Sequence, residues 1–472
     1  MSSSPATRSR RRLSWLLLPL AFGAPAVAQN TDELLDDLFA DEGLDSLLDG
    51  DFAEVADGSA NAPVSPLRSW KGFMEMKPRY YFSDRDQGRK DGQFIVKSEF
   101  EMDFQFDDGL SAYFRPRVYL DLFDGEESRF EPYEAYFSLE RRGWDLRVGQ
   151  FVENWGIVDT YNPIDVINRR DLGTEFLETD RLGEMGIRYQ RFLPDKGAIG
   201  EPMVSVYALP VWQATPFPAN DARFGFDVPG ASFDEDAGFE PDGFDRGMYA
   251  TRFQSTLTTG PMNADVQVLA ARGPDRSPGI ALNTAGDLAP AYYGALTTGF
   301  GLRAVPNQDV LGEFLSTLTL KAEVIHRSPY SFDNTPFATP DDYWAFVLGV
   351  DRSFYEVLKE QDSLTLTVEY ARETGADDPT TQLRIFQNDL ILRGFWEAND
   401  FERTSFELRG IFDMEASESV TEAIFERQLR ALHEDVKLTL QFQHFDSAAG
   451  GNTLLGQFPD NSSVAIGLRW DY

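Results

Sequence analysis

The stretch QFIVKSEFEMDFQFDDGLSAYFRPRVYLDL, Gln93 to Leu122, decides how this chain folds. Apolar residues occupy nearly every second position from Phe94 to Phe106 and again from Leu110 to Leu122, with polar or charged residues between them. Successive side chains of a β-strand point to opposite faces, so each run predicts a strand with one apolar and one polar face. The Asp-Gly turn between the runs predicts that they pair as an antiparallel hairpin.

The polar face of this hairpin carries both signs of charge. The charged residues that we predict to face a lumen are Lys97, Glu99, Glu101, Asp103, Arg115, Arg117 and Asp121. Facing rows of acids and bases inside a pore would create a transverse field that orients polar solutes and sets ion preference. Alternatively, the same residues pair with one another as packing in a hydrated interior.

The same alternation continues along the rest of the chain. We count about 18 such runs, with about 16 as the alternative. Tight connections such as 107–109 mostly take turns with long ones such as 154–181, although 414–418 is short where a long loop is expected. Transmembrane β-barrels have short turns on one side and long loops on the other, an asymmetry that a soluble sandwich does not explain. Residues 67–472 are therefore predicted to be all-β, a closed antiparallel transmembrane β-barrel.

The composition of the 472 residues excludes several classes of protein. A formal net charge of −35 argues against binding to nucleic acid, which needs a basic surface. The mean hydropathy of −0.36 argues against a helical membrane protein. The chain has no cysteine, so neither a disulfide framework nor thiolate chemistry is expected. Aromatic residues nevertheless make up 13% of the chain, which suits strands with an apolar outer face.

The N-terminal sequence predicts export. A basic stretch and a short apolar run precede an A-x-A cleavage sequence at residues 26–28, so residues 1–28 are expected to be a signal peptide. Residues 29–66 are an acidic extension and linker in which leucines recur at helical spacing. One interpretation is a short acidic helical extension that docks a periplasmic partner through residues 30–58 or that plugs the mouth of the pore. The other is a solvated linker.

The final residues AIGLRWDY, Ala465 to Tyr472, also alternate. Gly467, Trp470 and Tyr472 resemble the C-terminal signal that the barrel assembly machinery of the Gram-negative outer membrane reads. This resemblance implies insertion by that machinery and an outer-membrane location. It also implies contact of the barrel wall with outer-membrane lipid and lipopolysaccharide.

The most distinctive motif is RVGQFVENWGIVDTYNPIDVINRRDL, Arg147 to Leu172. An R-x-G-x-Q strand followed by W-G, D, N-P-x-D and N-x-R-D resembles a pattern of poorly characterised, porin-like outer-membrane β-barrels. By that resemblance, a constricting or gating loop is shaped by Arg147, Gln150, Trp155, Asp159, Asn162, Asp165, Asn168, Arg170 and Asp171. Alternatively, the Asp and Asn side chains bond the loop to itself, and the loop only seals the wall.

The three histidines limit acid–base chemistry. His326 and His444 continue the apolar parity of their strands and are expected to face lipid, while His433 falls in a tight turn. None is expected beside a nucleophile in the lumen. We therefore expect that the protein is not an enzyme and has neither a cofactor nor a metal site.

These features lead to two hypotheses about function. The first is an outer-membrane channel that passes small polar or ionic solutes through a hydrated lumen constricted by an inward loop. The second is a barrel dedicated to export or uptake of a polysaccharide or hydrophobic compound, coupled to a periplasmic partner through residues 30–60. The fold alone does not decide between them, since one fold serves many functions.

Deletion of residues 30–58 separates the two interpretations of the acidic segment. If the segment docks a partner, a periplasmic protein that co-purifies with the full chain is lost from the deletion variant, while insertion of the barrel is unchanged. The measurement is affinity purification from membranes followed by mass spectrometry. A solvated linker predicts the same set of co-purifying proteins for both chains.

Overall fold

The computed structural model describes the strands and many of the connections between them. The predicted signal peptide and the acidic extension up to residue 65 lie outside the described residues. The described residues are 66–83, 91–123, 127–173, 175, 177, 179–218, 222–225, 233–234, 238–241, 243–283, 286–307, 315, 317–332, 339–374, 386–447, 455–459 and 461–472.

Strands dominate the described part of the chain. Their bounds are β1 Leu67–Tyr81, β2 Gly92–Asp107, β3 Leu110–Asp121, β4 Arg129–Arg141, β5 Trp144–Phe151, β6 Glu184–Phe192, β7 Ile199–Leu209, β8 Met248–Thr258, β9 Met262–Pro274, β10 Gly279–Leu282, β11 Leu288–Ala291, β12 Gly294–Pro306, β13 Leu318–Tyr330, β14 Tyr343–Tyr355, β15 Ser363–Thr374, β16 Asn388–Glu397, β17 Ser405–Asp413, β18 Ser419–Gln428, β19 Val436–Asp446 and β20 Ser463–Asp471. Two short 3-10 helices, Gly243–Arg246 and Leu455–Gln457, lie in connections. No helix among the described residues is long and apolar enough to cross a membrane.

Eighteen of these strands form one closed sheet. Each barrel strand pairs antiparallel with the next along the chain; β9 pairs with β12, and β20 pairs with β1. In the closing pair, Met74 lies opposite Trp470 and Met76 lies opposite Leu468. The sheet therefore has no free edge, as a hydrocarbon environment requires. The predicted closed antiparallel barrel of 18 strands is confirmed, and the alternative count of sixteen is wrong.

The hairpin of β2 and β3 has one face outside the barrel and one inside. Glu99, on the inner face of β2, is 1% exposed and lies opposite Arg117 of β3. Its neighbour Phe100, on the outer face, is 42% exposed. The same alternation places large apolar side chains around the exterior of the barrel. This arrangement is typical of a barrel surrounded by lipid.

The connections differ between the two rims of the barrel. The short-turn rim holds 108–109, 142–143, 193–198, 259–261, 307–317, 356–362, 398–404 and 429–435. The long-loop rim holds 82–91, 122–128, 152–183, 210–247, 275–293, 331–342, 375–387, 414–418 and 447–462. The short connection 414–418 does lie at the long-loop rim. It is closed by the Asp413 side chain, which accepts the amides of Glu415 and Ala416 at 2.7 and 2.6 Å.

Exposed aromatic side chains lie near both rims. Near the short-turn rim they include Trp70, Phe106, Phe137, Tyr189 and Trp470, and near the long-loop rim they include Tyr80, Phe82, Phe123, Tyr249 and Trp344. Aromatic rings of this kind favour the boundary between hydrocarbon and water. Their positions delimit an apolar outer band that runs around the wall.

One small element was absent from the sequence prediction. β10 and β11 form a separate antiparallel hairpin within the long connection 275–293, with Gly279 opposite Ala291. Each strand is four residues long, which is too short for an alternating pattern to stand out.

The seam between β20 and β1 is tightest at Gly72. Its amide donates to the carbonyl of Tyr472 at 2.8 Å, and the amide of Tyr472 donates back at 2.9 Å. The Tyr472 ring also packs on Trp70 and Phe100, with ring centroids 6.2 and 5.5 Å away. A Cβ at position 72 would lie 2.6 Å from the carbonyl oxygen of Glu99 and 2.7 Å from the Tyr472 ring, so only glycine fits here.

We expect Gly72→Ala to destabilise the barrel by about 1–3 kcal/mol, because the new methyl group forces the seam apart. Gly394→Ala is the matched control, since a Cβ there meets its nearest atom, in Leu366, at an ordinary 3.6 Å. The measurement is the thermal unfolding midpoint of the refolded barrels in detergent. Equal midpoints for the two variants would contradict the seam argument.

Candidate functional site: the inward loop and the lumen

The connection between β5 and β6, residues 152–183, folds into the barrel and is called the inward loop. Its apolar anchors are fully enclosed: Trp155 is 1% exposed, and Ile164 and Ile167 are 0% exposed. A loop on the surface of a protein would leave such side chains in water. The inward loop is therefore packed as part of the interior of the barrel.

The inward loop packs against apolar positions on the inner wall. One buried cluster joins the loop to strands β7, β8, β9, β13 and β14, and contains Trp155, Ile164, Val166, Ile167, Tyr207, Leu209, Met248, Ala250, Leu269, Ala271, Ile325, Tyr343 and Ala345. A second cluster joins Val158, Tyr161 and Leu177 to β14, β15, β16 and β17 through Val347, Ala371, Ile391 and Ile411. These wall positions lie toward the long-loop rim, so the loop occupies that half of the lumen.

Two wall carboxylates accept the backbone amides of the inward loop. Glu323 of β13 accepts the amides of Ile157, Val158 and Ile164 at 2.5, 3.0 and 3.3 Å. Glu369 of β15 accepts the amides of Asp159 and Thr160 at 2.7 and 3.2 Å. Buried amides need acceptors, and here the wall supplies them where no regular secondary structure does.

The side chains of the inward loop add further contacts on the same wall. Asp159 forms an ion pair with Lys321 of β13 at 2.7 Å, and Lys321 also reaches Asp351 of β14 at 2.5 Å. Tyr161 donates to Glu373 at 2.5 Å and stacks on Phe386, with ring centroids 4.7 Å apart. The first half of the loop is thus fixed to the side of the barrel opposite the strands from which it leaves.

The second half of the inward loop returns along a basic wall formed by β1 to β4. Glu175 pairs with Lys77 and Arg79, both at 2.7 Å. Asp180 pairs with Lys97 at 2.8 Å and with Arg117 at 3.0 Å. A third acid of the loop, Asp171, pairs with Arg129. Three loop carboxylates therefore neutralise cations on three neighbouring parts of the wall.

The inward loop is also bonded to itself. Asp165, with a buried side chain, pairs with Arg170 at 2.7 Å and with Arg181 at 2.5 Å. Asn168 accepts the amide of Glu153 at 2.9 Å and donates to the carbonyl of Leu182 at 2.8 Å. These bonds join the start and the end of the loop, so it is a compact folded segment inside the barrel.

The remaining residues of the predicted constriction take different positions. Arg147 lies over the ring of Tyr136, 4.1 Å from its centroid. Asn162 lines the cavity described below. Gln150 lies opposite Met185 near the end of β5 and is 9% exposed, so its side chain is buried.

The charged residues predicted to face the lumen form a compensated network. Glu99 accepts from Arg115 at 2.7 Å and from Arg117 at 2.6 Å. Around this centre, Glu101 pairs with Lys71, Arg115 lies near Glu134, and the Asp103 carboxylate accepts from Ser69. The Asp121 carboxylate instead accepts backbone amides at the end of its own hairpin, including that of Phe123 at 2.9 Å. The acids and bases of this wall therefore pair with one another and do not form an open row of charges.

The half of the lumen nearer the short-turn rim is polar and more open. Its inward-facing ion pairs include Arg393–Glu407 and Lys437–Glu426, both at 2.8 Å and both partly exposed. Water screens such pairs, so they contribute about 0–1 kcal/mol each to stability. This half of the interior suits a hydrated passage.

The residues of the predicted assembly signal lie at the seam. Trp470 packs on Tyr472 with ring centroids 5.5 Å apart, and a Cβ on Gly467 would lie 3.2 Å from Glu75. Two of the histidines lie on the outer wall: the ring of His326 packs on Trp344 with centroids 4.6 Å apart. His444 of the outer wall lies 3.1 Å from Ser462. Among the described residues, no group of three or more His, Asp or Glu side chains is arranged to hold a metal ion.

The sequence pattern did not identify several residues that hold the inward loop. Three of them lie on the inner face of strands whose sequences alternate: Lys321 and Glu323 on β13, and Glu369 on β15. A charged side chain at such a position implies a lumen. Arg79 and Glu175 belong to no motif that the sequence analysis recognised. Parity along each strand would have found the wall residues, but their partners are 96 to 210 residues away along the chain.

A cavity of about 590 Å³ lies between the inward loop and the wall near the long-loop rim. Its lining combines loop residues with the ends of β9, β12, β13 and β14 and with the segment 275–278 that follows β9. Cavities of about 300–1,000 Å³ are the size that proteins use for small ligands. Both acidic and basic side chains face it, among them Asp159, Arg170 and Arg276.

The carboxylate of Glu175 stays ionised over a wide pH range. Burial alone disfavours its charged form, but the cations of Arg79 and Lys77 outweigh burial and hold its pKa at about 2, below the ordinary 4.5. The pKa of Asp180 is lowered in the same way, because Lys97 and Arg117 outweigh its burial. Acidification to about pH 5 therefore leaves these two attachments of the inward loop intact.

Because the pKa of Glu175 is lower in the folded state, its carboxylate stabilises the fold above pH 4.5 and loses that effect between pH 4.5 and about 2. We expect Glu175→Gln to reduce stability by roughly 3 kcal/mol near neutral pH, since Arg79 is left buried without its partner. The difference from wild type should shrink as pH falls through this window.

Thermal unfolding in detergent from pH 7 to 2 measures this difference. Glu426→Gln is the control, because the partly exposed pair with Lys437 should contribute no more than about 1 kcal/mol. A Glu175→Gln variant as stable as wild type at neutral pH would show that the contact does not hold the loop.

Comparison with known proteins gives a likeness of architecture. No family model matches the sequence, and no curated protein matches it significantly. Similar solved structures include Wzi of Escherichia coli, an outer membrane protein described as a carbohydrate-binding β-barrel involved in group 1 capsule assembly (12% identity, 85% of this chain and 83% of that chain, TM-score 0.48). Others are OmpF of Salmonella typhi (10% identity, 86% and 97%, TM-score 0.41) and OmpT of Vibrio cholerae (9% identity, 86% and 98%, TM-score 0.40). At these identities the likeness is one of fold alone, and the chain itself is a closed antiparallel barrel of 18 strands.

Proposed function

We propose that this protein is an outer-membrane channel for small polar or ionic solutes, constricted by the inward loop. The apolar outer band with aromatic side chains near both rims supports a position in a bilayer. In this proposal the long-loop rim faces the exterior and the short-turn rim faces the periplasm. The wall contacts lipid and lipopolysaccharide, and the barrel assembly machinery inserts the chain.

The observation that carries this proposal is the attachment of the inward loop to both sides of the lumen. Glu323 and Glu369 bind its first half, and the basic wall of β1 to β4 binds its second half through Glu175 and Asp180. A loop fixed in this way narrows the passage and lines it with polar groups. Below the loop, the partly exposed ion pairs leave the remaining lumen wet.

A second function is favoured by the apolar core of the same loop. Trp155, Ile164 and Ile167 are as enclosed as the core of a soluble domain, which suits a plug that closes the barrel until a partner or substrate displaces it. In that case the protein is a barrel dedicated to export or uptake of a polysaccharide or hydrophobic compound, coupled to a periplasmic partner through residues 30–60.

Conductance in planar bilayers tests the proposal. Wild-type protein should conduct, and the double variant Glu323→Ala, Glu369→Ala should conduct more. Each buried amide that loses its acceptor costs about 1–3 kcal/mol, so five such amides release the segment 157–164 from the wall.

Glu426→Ala is the matched control, because the described partners of this lumen carboxylate are Lys437 and Thr439 of β19 and not residues of the inward loop. Its conductance should equal that of wild type. Silent wild type with a conducting double variant would favour the plugged, dedicated barrel. Silence of both proteins after verified insertion would overturn the channel.

A further inference from the structure

The outer wall of the barrel carries a groove of about 480 Å³ that crosses β8, β9 and β12. Its floor is a row of small side chains, in which Thr251 lies opposite Ala270 and Ala270 lies opposite Thr298. The outer-face rows on both sides of it hold larger residues: Tyr249, Arg272 and Leu296 toward the long-loop rim, and Phe253, Val268 and Phe300 on the other side. The groove is therefore a missing layer of side-chain volume in the apolar wall.

The groove is one row of side chains wide. The larger rows on its two sides are four residues apart along each strand, as Tyr249 and Phe253 are on β8, which is about 13 Å at 3.2–3.4 Å per residue. The side chains of both rows fill part of this distance. The remaining width fits a hydrocarbon chain but not an α-helix, which is about 10–12 Å across with its side chains.

One exposed cation lies beside the groove, on the side of the long-loop rim. Arg272 is on the outer face of β9, two residues from Ala270 and opposite Tyr249. Its guanidinium lies 5.4 Å from the centroid of the Tyr330 ring, and no carboxylate within the described ranges forms an ion pair with it. Aromatic side chains mark the boundary of the apolar band at this level, so the cation is placed to meet lipid head groups.

The position of Arg272 is fixed by a close contact on the neighbouring strands. Gly294 of β12 lies opposite Tyr330 of β13 on one side and opposite Pro274 of β9 on the other. A Cβ at position 294 would collide with the Tyr330 ring, so the ring lies across the glycine. From there the ring reaches the guanidinium and holds it by a cation–π contact.

An acid at the same rim has other partners. Asp342 accepts from the hydroxyl of Ser328 at 2.8 Å and lies 3.9 Å from His326. Both partners belong to β13, which is separated from β9 by β12. Asp342 therefore does not neutralise Arg272, and the groove has a positive charge at its edge.

The polarity of the wall changes in the same order as the parts of a lipid. Arg272 is nearest to the long-loop rim, the exposed hydroxyl groups of Thr251 and Thr298 lie one row further in, and Phe253 and Phe300 lie one row beyond them. Phosphate, ester oxygens and acyl chain follow one another in this order in a membrane lipid. Hydrocarbon offers a hydroxyl group no acceptor, so a molecule that brings ester oxygens to the middle row is favoured.

We propose that Arg272 and the groove form a binding site for lipid A, the lipid part of lipopolysaccharide. A phosphate binds the guanidinium through two parallel hydrogen bonds, and an acyl chain lies in the groove. The chain gains van der Waals contacts with the groove walls that it does not have with mobile lipid. This site holds one molecule at one place, unlike the general contact of the wall with lipid.

The choice of lipid A rests on the proposed function, in which the long-loop rim faces the exterior. In that orientation Arg272 and the groove lie in the outer leaflet, and lipopolysaccharide is the main lipid of that leaflet in a Gram-negative outer membrane. A phospholipid carries the same kinds of group, so the experiment compares the two lipids directly.

Native mass spectrometry of the full-length protein, refolded without lipid in detergent, tests the site. The probes are diphosphoryl, hexa-acylated lipid A and phosphatidylglycerol, each titrated at constant ionic strength. We expect one molecule of lipid A to stay bound to each chain, at concentrations at which phosphatidylglycerol does not bind.

Two substitutions separate the head group from the acyl chain. Arg272→Gln should weaken binding of lipid A by about 5- to 100-fold, because a contact between a cation and a lipid phosphate is lost. Ala270→Leu fills the floor of the groove and should weaken binding by about 2- to 10-fold, because the chain loses its packing contacts. Both side chains lie on the outer face, so the interior of the barrel is unchanged.

Arg191→Gln and Ala423→Leu are the matched controls. Arg191 is also exposed on the outer wall, opposite Trp144, but lies at the short-turn rim. Ala423 is also a small residue of the outer wall, opposite Leu408 and Phe442, and does not line the groove. Both variants should bind lipid A with the affinity of wild type.

Wild-type affinity in Arg272→Gln, or equal binding of lipid A and phosphatidylglycerol, would overturn the site. Oligomers that Ala270→Leu dissociates, without bound lipid A, would instead assign the groove to a second copy of the chain. Binding in detergent depends on neither current nor orientation, so a protein that binds lipid A but is silent in bilayers refutes the channel alone. One that conducts but binds no lipid A refutes the lipid site alone.

Discussion

The pairing of β20 with β1 is the constraint on which the rest of the structure depends. In hydrocarbon no water can bind a free amide or carbonyl, so a sheet with an open edge would not persist there. Closure joins the first and last strands, and the seam at Gly72 allows the backbone and the Tyr472 ring to approach closely. Once the sheet is closed, alternation puts one face of every strand toward the exterior of the barrel and the other toward an enclosed interior.

The enclosed interior in turn determines the conformation of the inward loop. A loop of this length has many amides and little regular structure, and inside a barrel it cannot satisfy them with bulk water. Glu323 and Glu369 project from the wall and accept five of those amides. Apolar wall residues near them cover the loop's hydrophobic side chains. The loop is therefore shaped by the wall as much as by its own sequence.

Charge is balanced locally in this lumen, despite the net charge of −35 on the whole chain. One carboxylate held between two guanidinium groups recurs: Glu99 between Arg115 and Arg117, and Asp165 between Arg170 and Arg181. Glu184 repeats the arrangement with Arg169 and Arg276. Because the inner-wall charges are paired in this way, the composition of the chain is a poor guide to the field that a solute meets inside.

The sequence by itself determined the strand number and the two faces of each strand, because alternation and turn chemistry are local properties. It also showed that the connection 414–418 is short at a place where a long loop is expected. It also singled out residues 147–172, most of which lie in the inward loop, although the four-residue strands β10 and β11 were too short to recognise. Only the tertiary structure decided the partners: Glu323 under the loop amides, Arg79 on Glu175, and Lys321 on Asp159. These contacts join residues far apart along the chain, and closure of the barrel is what brings them together.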